Sequence, residues 1–190
     1  MPMSTREVQQ ALHDLGWPIE VDGDFGPQTF RAVQDFQRGF SFRDLLVDGY
    51  AGPQTWTALA DAVANGFSCG RYFRFSEFKS KGDGWIKVNR ILVRALDTYR
   101  DRYGPTSIVS GYRDPAHNRK VGGKPNSQHL YGNAADIPGV ASVGAIKNLG
   151  LFSGLGRRRS DGMVVHVDVR HAGPNTTNAS LDNPTVWDYA

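Results

Sequence analysis

Residues 21–30 read Val-Asp-Gly-Asp-Phe-Gly-Pro-Gln-Thr-Phe, and residues 47–56 read Val-Asp-Gly-Tyr-Ala-Gly-Pro-Gln-Thr-Trp. The second stretch repeats the first 26 positions later, with seven of the ten pairs identical. Asp-Gly is a turn signal, and the Gly-Pro step can place Pro at the first position of a helix, where its missing N–H costs nothing. Each copy therefore predicts a tight turn that leads into a helix.

A further helix is predicted upstream of the repeat. Ser4 or Thr5 can cap its N-terminus, with Glu7 in capping-box position, and Val8 and Leu12 follow at helical spacing. Two copies of a motif are too few for a solenoid, which needs about three repeats. We therefore predict a compact three-helix domain over residues 1–65, a linker over 66–74 and a second domain over 75–190.

Composition limits the kinds of site that the chain can hold. The chain has 190 residues, a formal net charge of +3 and one cysteine, Cys69. A single cysteine excludes an internal disulfide and a cysteine-ligated zinc site, so any metal must be held by histidines and carboxylates. The start of the chain lacks the apolar run of a secretory signal, and no stretch approaches the ~18 apolar residues of a transmembrane helix. We therefore expect synthesis in the cytoplasm without a signal peptide.

Two predicted strands of the second domain carry charged residues. Residues 134–137 indicate a buried strand that contains Asp136, and a carboxylate in such a strand must be paired or metal-bound. Residues 163–170 alternate, so the odd-numbered valines should face the core, whereas His166, Asp168 and Arg170 share the opposite face. Downstream of His171 the chain is polar and irregular in pattern. We expect Trp187 to pack back against the rest of the domain.

His129, Asp136 and His166 could together supply two imidazoles and one carboxylate to a metal. Zinc hydrolases commonly use three protein ligands and leave one tetrahedral position open for water. From spacing alone a second interpretation stays open, in which Asp136 is a structural cap or an ion-pair partner and the polar face of the later strand meets solvent. His171 is a weaker candidate for a fourth ligand.

Two resemblances narrow this choice. The paired Asp-Gly-x-x-Gly-Pro-Gln-Thr motifs resemble the three-helix peptidoglycan-binding domain of many wall hydrolases, over about residues 4–64. Further along, the motifs are Ser110-Gly-Tyr-Arg113, His117-Asn118, Val121-Gly-Gly123, Ser127-x-His129-x-x-Gly132-x-Ala134-x-Asp136 and His166-Val-Asp168. In order and spacing they resemble the M15 peptidases, which are zinc D-Ala-D-Ala carboxypeptidases and L-alanyl-D-glutamate endopeptidases of bacteria and phages.

The M15 resemblance implies a fold and roles for individual residues. It implies an α+β domain with a small antiparallel sheet, and one zinc ion on His129, Asp136 and His166. Arg113 matches the arginine that holds a substrate carboxylate or polarises the scissile carbonyl, a task that suits a guanidinium. Ser127 matches a residue that contacts substrate, and its alternative role is that of a turn hydroxyl.

The sequence departs from the family pattern at the general base. Many members carry Glu or Asp three residues before the last zinc histidine, where this chain has Met163, and others carry histidine two residues before it, where this chain has Val164. Asp168 is the first candidate for the base because it shares a face with His166; its alternative role is to orient a zinc histidine. Asp161 is the second candidate, although Ser-Asp-Gly there favours a hairpin turn.

These observations predict a zinc-dependent peptidoglycan hydrolase that cleaves a peptide bond in the stem peptide or cross-link, in the setting of a phage endolysin. The alternatives are a D-Ala-D-Ala carboxypeptidase of wall maintenance and a non-catalytic, zinc-containing wall-binding protein. The expected partner is bacterial peptidoglycan, without nucleic acid or membrane insertion, and the expected state is a monomer that acts at the cell wall.

Overall fold

The computed structural model describes residues 2–172 and 180–189 of the chain. The N-terminal part contains three helices: α1 (Thr5–Asp14), α2 (Pro27–Gly39) and α3 (Pro53–Ala64). Ser4 caps α1 in a capping box with Glu7, and a proline opens both α2 and α3. The predicted all-α N-terminal domain of three helices is therefore confirmed.

The first Asp-Gly turn is held by a buried glutamine, Gln9, that sequence analysis did not identify. Its Nε2 lies 2.7 Å from Asp22 Oδ1, 2.9 Å from the Asp24 carbonyl oxygen and 3.0 Å from Thr29 Oγ1. Its Oε1 accepts the backbone N–H of Gly23 at 2.7 Å. One side chain of α1 thus fixes the turn that precedes α2.

Gln37 of α2 repeats this arrangement on the second turn. Its Nε2 lies 2.8 Å from Asp48 Oδ1, 3.0 Å from the Tyr50 carbonyl oxygen and 3.1 Å from Thr55 Oγ1. The N–H of Gly49 donates to Gln37 Oε1 at 2.8 Å. The identical residues of the two copies therefore form two equivalent turns. Each turn is held by a glutamine of the helix before it.

In its described residues, the second part of the chain combines three more helices with a small sheet. The helices are α4 (Arg90–Tyr103), α5 (Pro115–Lys120) and α6 (Val143–Lys147). The strands are β1 (Ala134–Asp136), β2 (Gly154–Arg158), β3 (Val164–Asp168) and β4 (Thr185–Tyr189), in the spatial order β1-β3-β2-β4. Short 3-10 helices cover Phe75–Phe78, Gln128–Tyr131 and Arg170–Ala172.

The α+β class is confirmed, but the sheet is mixed rather than antiparallel. β3 pairs antiparallel with β1 and with β2, as expected, whereas β4 pairs parallel with β2. β3 returns the chain to the end of the sheet where β2 begins, and β4 starts at that same end beside Gly154, so it runs parallel to β2. β4 lies in the stretch that sequence analysis expected to be irregular.

The faces of β3 differ in part from the prediction. Val167 and Val169 are fully buried, as expected, but Val165 is only partly buried. His166 and Asp168 are buried as well, so the polar face of this strand does not meet solvent. Two polar side chains inside the domain must therefore find partners there.

One apolar core runs through both parts of the chain. The ring of Trp17 lies 5.0 Å from that of Phe75, and Phe36 lies 5.4 Å from the same ring. Two buried indoles cross between the parts: Trp17 Nε1–H donates to the Ile86 carbonyl at 3.1 Å, and Trp85 Nε1–H donates to Asp35 Oδ2 at 2.8 Å.

The segment 66–74, predicted as a linker, takes part in this core. Cys69 and Phe73 are fully buried, and the Ser41 N–H donates to the Cys69 carbonyl at 2.9 Å. The domain limits 1–65 and 75–190 stay predictions. Among the described residues, no helix is long and apolar enough to cross a membrane.

Candidate metal centre

Strand pairing brings two of the three predicted ligands side by side. In the antiparallel register of β1 and β3, Asp136 lies opposite His166. His129 comes from the 3-10 helix just before β1. Gly132 caps the C-terminus of this helix in the left-handed region, with φ of +70°. A Cβ on Gly132 would lie 2.7 Å from the Lys87 carbonyl oxygen, so this close turn requires glycine.

The three side chains converge on one point. His129 Nε2 lies 3.2 Å from Asp136 Oδ1 and 3.2 Å from His166 Nδ1, and His166 Nδ1 lies 2.9 Å from Asp136 Oδ1. Among the described residues, these three form the one group with metal-ligand spacing. Ligands about 2.0–2.2 Å from a tetrahedral zinc ion lie about 3.3–3.6 Å apart, so the triangle is slightly tighter than a zinc-loaded site and has the size of one.

Hydrogen bonds on the far side of each ring fix which nitrogen faces the centre. His129 Nδ1 lies 2.6 Å from the Gly111 carbonyl oxygen, which can only accept, so Nδ1 carries the proton. His166 Nε2 lies 3.3 Å from Asp168 Oδ2, which leaves Nδ1 of that ring to face Asp136. Both imidazoles therefore present a lone pair to the centre when they are neutral, as metal-binding histidines do.

Charge in the site favours a cation at the centre. Burial would raise the pKa of Asp136, but hydrogen bonds that His129 and His166 donate when they are protonated hold the pKa far below the usual range, so the carboxylate is ionised. Burial lowers the pKa of His129. For His166, burial acts in the same direction, but hydrogen bonds to Asp136 and Asp168 raise its pKa overall. Acceptor atoms this close to each other repel unless a cation or a proton lies between them.

Arg113 lies at the edge of the triangle. Its Nη2 donates to Asp136 Oδ2, the oxygen not shared with the histidines, and lies 3.4 Å from the hydroxyl of Tyr189. Its Nε donates to Ser110 Oγ at 3.0 Å, and its backbone N–H donates to the His129 carbonyl at 3.2 Å. The guanidinium is therefore anchored beside the atoms that would face a ligand.

Comparison with known proteins agrees with this geometry. A family described as "Putative peptidoglycan binding domain" matches residues 4–59, and a family described as "Peptidase M15" matches residues 73–168, just over half of the chain. The chain belongs to the peptidase M15 family. The resemblance read from the motifs is thereby confirmed.

A curated relative matches about two thirds of this M15 chain. It is the zinc D-Ala-D-Ala carboxypeptidase of Streptomyces albus G, which is 33% identical over 141 residues. The aligned region covers 68% of this chain and 53% of the relative, so the chain spans about half the length of that protein.

Asp168 lies on the outer side of His166, which fits an orienting role, and its role as the base of this M15 site stays a prediction. Asp168 contacts His166 through Nε2, the ring nitrogen that points away from the triangle. Both of its oxygens also accept from Arg170, at 2.8 and 2.6 Å, and the side chain is fully buried. Strand alternation correctly paired Asp168 with His166, but it could not show on which side of the ring the carboxylate lies.

The other sequence candidates lie in turns and caps. Asp161 accepts the Met163 N–H at 3.1 Å and pairs with Arg158 in the β2–β3 turn. His171 Nδ1 lies 2.8 Å from Ser153 Oγ and is not part of the triangle. Ser127 begins the 3-10 helix of His129 and accepts the N–H of that residue at 3.4 Å, which fits the turn role; contact with substrate stays a prediction.

Two aromatic residues of β4 complete the surroundings of the site, and sequence analysis missed one of them. The ring of Tyr189 stacks on His166 with centroids 5.2 Å apart and planes at 25°. Trp187 meets the same imidazole at 5.2 Å and 61°, and Arg170 lies over the indole at 4.9 Å. The alternation of Trp187 and Tyr189 was the available signal, because residues two apart in a strand share a face.

Proposed function

We propose that the protein is a zinc-dependent peptidase that hydrolyses a peptide bond in the stem peptide or cross-link of bacterial peptidoglycan. The three-helix part, over about residues 1–65, holds the wall, and residues 75–190 carry the peptidase site. The family matches to both parts and the relative named for zinc and for D-Ala-D-Ala support this proposal. In its finer form, the protein is a monomeric, bacteriolytic endolysin that binds no nucleic acid.

The observation that carries the proposal is the convergence of three acceptor atoms. His129 Nε2, Asp136 Oδ1 and His166 Nδ1 face one another within 3.2 Å. Three acceptors in buried surroundings need a positive charge, and two imidazoles with one carboxylate suit zinc. When bound, zinc polarises a carbonyl and lowers the pKa of a water molecule toward neutrality.

The residues around the triangle provide orientation and charge. Gly111 and Asp168 each hold one imidazole by its outer nitrogen, so both rings are fixed before a ligand arrives. Arg113 presents a guanidinium beside Asp136, where it can hold a substrate carboxylate or stabilise the negative charge that develops on the scissile carbonyl oxygen.

A second candidate, a zinc-containing wall-binding protein without activity, is favoured by one observation. Met163 stands where many family members carry the base, and Asp168 is engaged by Arg170 on the far side of His166. In this alternative, zinc would stabilise the fold, and the triangle would have no catalytic task.

Digestion of purified peptidoglycan separates the candidates. We expect the zinc-loaded chain to release new amino or carboxyl ends, and a chelator to abolish the release. His129→Ala should behave like the chelated protein, whereas His171→Ala, which removes a histidine outside the triangle, should not. Full zinc occupancy with no new chain ends would establish the binding protein instead.

Mass spectrometry of the products identifies the bond. Loss of single D-alanine residues indicates the carboxypeptidase of wall maintenance, whereas free stem peptides or opened cross-links indicate an endopeptidase. Lysis of whole cells after expression inside them is the outcome expected of an endolysin.

A further inference from the structure

The two copies of the N-terminal repeat differ at three of their ten positions, and aromatic residues occupy all three. The differing pairs are Asp24 and Tyr50, Phe25 and Ala51, and Phe30 and Trp56. The seven identical positions include the residues that form the turns, the residues whose side chains accept hydrogen bonds from Gln9 and Gln37, and the prolines that begin the helices. The turn architecture therefore does not account for the aromatic residues.

Three of these aromatic residues form one cluster, which we call the aromatic platform: Phe25, Phe30 and Tyr50. The rings of Phe25 and Tyr50 are almost parallel, with planes at 8° and centroids 6.4 Å apart. Phe30 meets Tyr50 edge to face at 5.4 Å and 81°. Tyr50 is 65% exposed and Phe25 is 39% exposed, so two near-parallel rings stand at the surface.

The backbone beneath the platform is fixed before any ligand arrives. Gln37 Nε2 donates to the Tyr50 carbonyl, and Gln9 Nε2 donates to the Asp24 carbonyl next to Phe25. A Cβ on Gly49 would lie 2.5 Å from the ring of Phe30, so glycine there lets the ring pack on the turn. A rigid aromatic surface loses little conformational entropy when it binds.

The chemistry of the platform suits a sugar ring better than a peptide. A pyranose in the chair form has a face of C–H groups that packs flat against an aromatic ring, while its hydroxyls stay in water. The two turns also carry the carboxylates of Asp22, Asp24 and Asp48, of which Arg6, bound to the carbonyls of Val21 and Asp22, offsets one. This negative charge disfavours the anionic stem peptide and leaves the neutral N-acetylated sugars of the glycan strand.

We propose that Phe25 and Tyr50, supported by Phe30, bind an N-acetylated sugar ring of the peptidoglycan glycan strand. The proposal rests on the proposed function, because it assigns a site to the part of the chain that is expected to hold the wall. In this proposal, stacking on the aromatic rings supplies most of the binding energy, and the charged groups of the turns do not.

Co-sedimentation with purified peptidoglycan tests the proposal on the full chain. Phe25→Ala and Tyr50→Ala should each weaken binding about tenfold, and the double variant more, whereas Tyr50→Phe should bind like the unaltered chain. Phe42→Ala is the matched control, because Phe42 is 50% exposed in the same part of the chain but lies outside the platform, so binding should be unchanged. Thermal unfolding of each variant shows that the fold is retained.

Competition identifies the ligand. A tetramer of N-acetylglucosamine should displace the chain from peptidoglycan, and a soluble stem peptide should not. Displacement by the peptide alone, or equal binding of all the folded variants, overturns the platform proposal while leaving wall binding intact. If the unaltered chain does not sediment with peptidoglycan, the proposed wall-binding role fails and the platform proposal fails with it.

Discussion

Replacing Asp168 by Asn tests how the site holds its metal. The Asp168 carboxylate accepts from His166 Nε2 at 3.3 Å and from Arg170 Nη2 at 2.6 Å through the same oxygen, Oδ2. The carboxylate partner of a metal-binding histidine is typically worth about 10- to 100-fold in metal affinity or activity. The bond here is long and its acceptor is shared with an arginine. We therefore expect the lower end, about tenfold, or about 1.4 kcal/mol.

Two measurements separate orientation from proton transfer. Zinc affinity is measured by titration against a competing chelator, and hydrolysis of peptidoglycan is then measured at saturating zinc. For a carboxylate that only orients His166, D168N should raise the zinc dissociation constant about tenfold, while the rate at saturating zinc stays within about tenfold of the unaltered chain.

The opposite pattern would refute this reasoning. A general base contributes about 100-fold or more, so a loss of that size at saturating zinc, with unchanged zinc affinity, would support Asp168 as the base. Asp161→Asn is the matched control: it removes a carboxylate from the exposed β2–β3 turn, and we expect both zinc affinity and rate to stay unchanged.

Three further predictions concern stability. Gln37→Ala should lower the free energy of unfolding in urea by about 2–3 kcal/mol, because it leaves Asp48 and the turn N–H groups without their partner. A decrease below about 0.5 kcal/mol would contradict the role of the glutamine. Burial would raise the pKa of Asp114, but backbone and Ser80 hydrogen bonds lower it to about 2. A depressed pKa stabilises the fold above about pH 4, and this stability is lost as pH falls toward 2; Asp114→Asn should remove about 2 kcal/mol of that pH dependence in acid unfolding curves. Trp85→Phe leaves buried Asp35 without its indole donor and should lower the free energy of unfolding by about 1–3 kcal/mol. Unfolding followed by circular dichroism and by fluorescence should still give one coincident transition. Two separate transitions would show that the core is not shared.

The candidate metal ligands could be predicted in part from short-range patterns. Alternation placed His166 on the polar face of a strand, and the apolar neighbours of Asp136 marked its strand as buried. The register that sets these two residues side by side was not predictable from either segment alone. It depends on pairing between strands that are about 30 residues apart, and family resemblance supplied that information.

Contacts between distant parts of the chain account for the features that were missed. Gln9 and Gln37 look like ordinary polar residues of helices, and only the folded turns show what they bind. β4 was missed because its partner, β2, lies about 30 residues earlier and the strand is only partly buried, which weakens its hydrophobic pattern. The side of His166 on which Asp168 lies could not be predicted, because strand periodicity gives the face of a side chain but not the ring nitrogen that it meets.

The shared core has a mechanical consequence. Hydrogen bonds from Trp17 and Trp85 join the two parts of the chain, so the platform and the metal centre are attached to one shared core. A flexible tether would let an anchored enzyme search a sphere of wall around its attachment point. In the proposed function, a chain with such a shared core would instead reach only those peptide bonds that stand at one distance and angle from the bound sugar. A molecule bound in this way would have to dissociate from the wall before it could cut elsewhere, and the spacing of stem peptides along a glycan strand would determine which bonds it could reach.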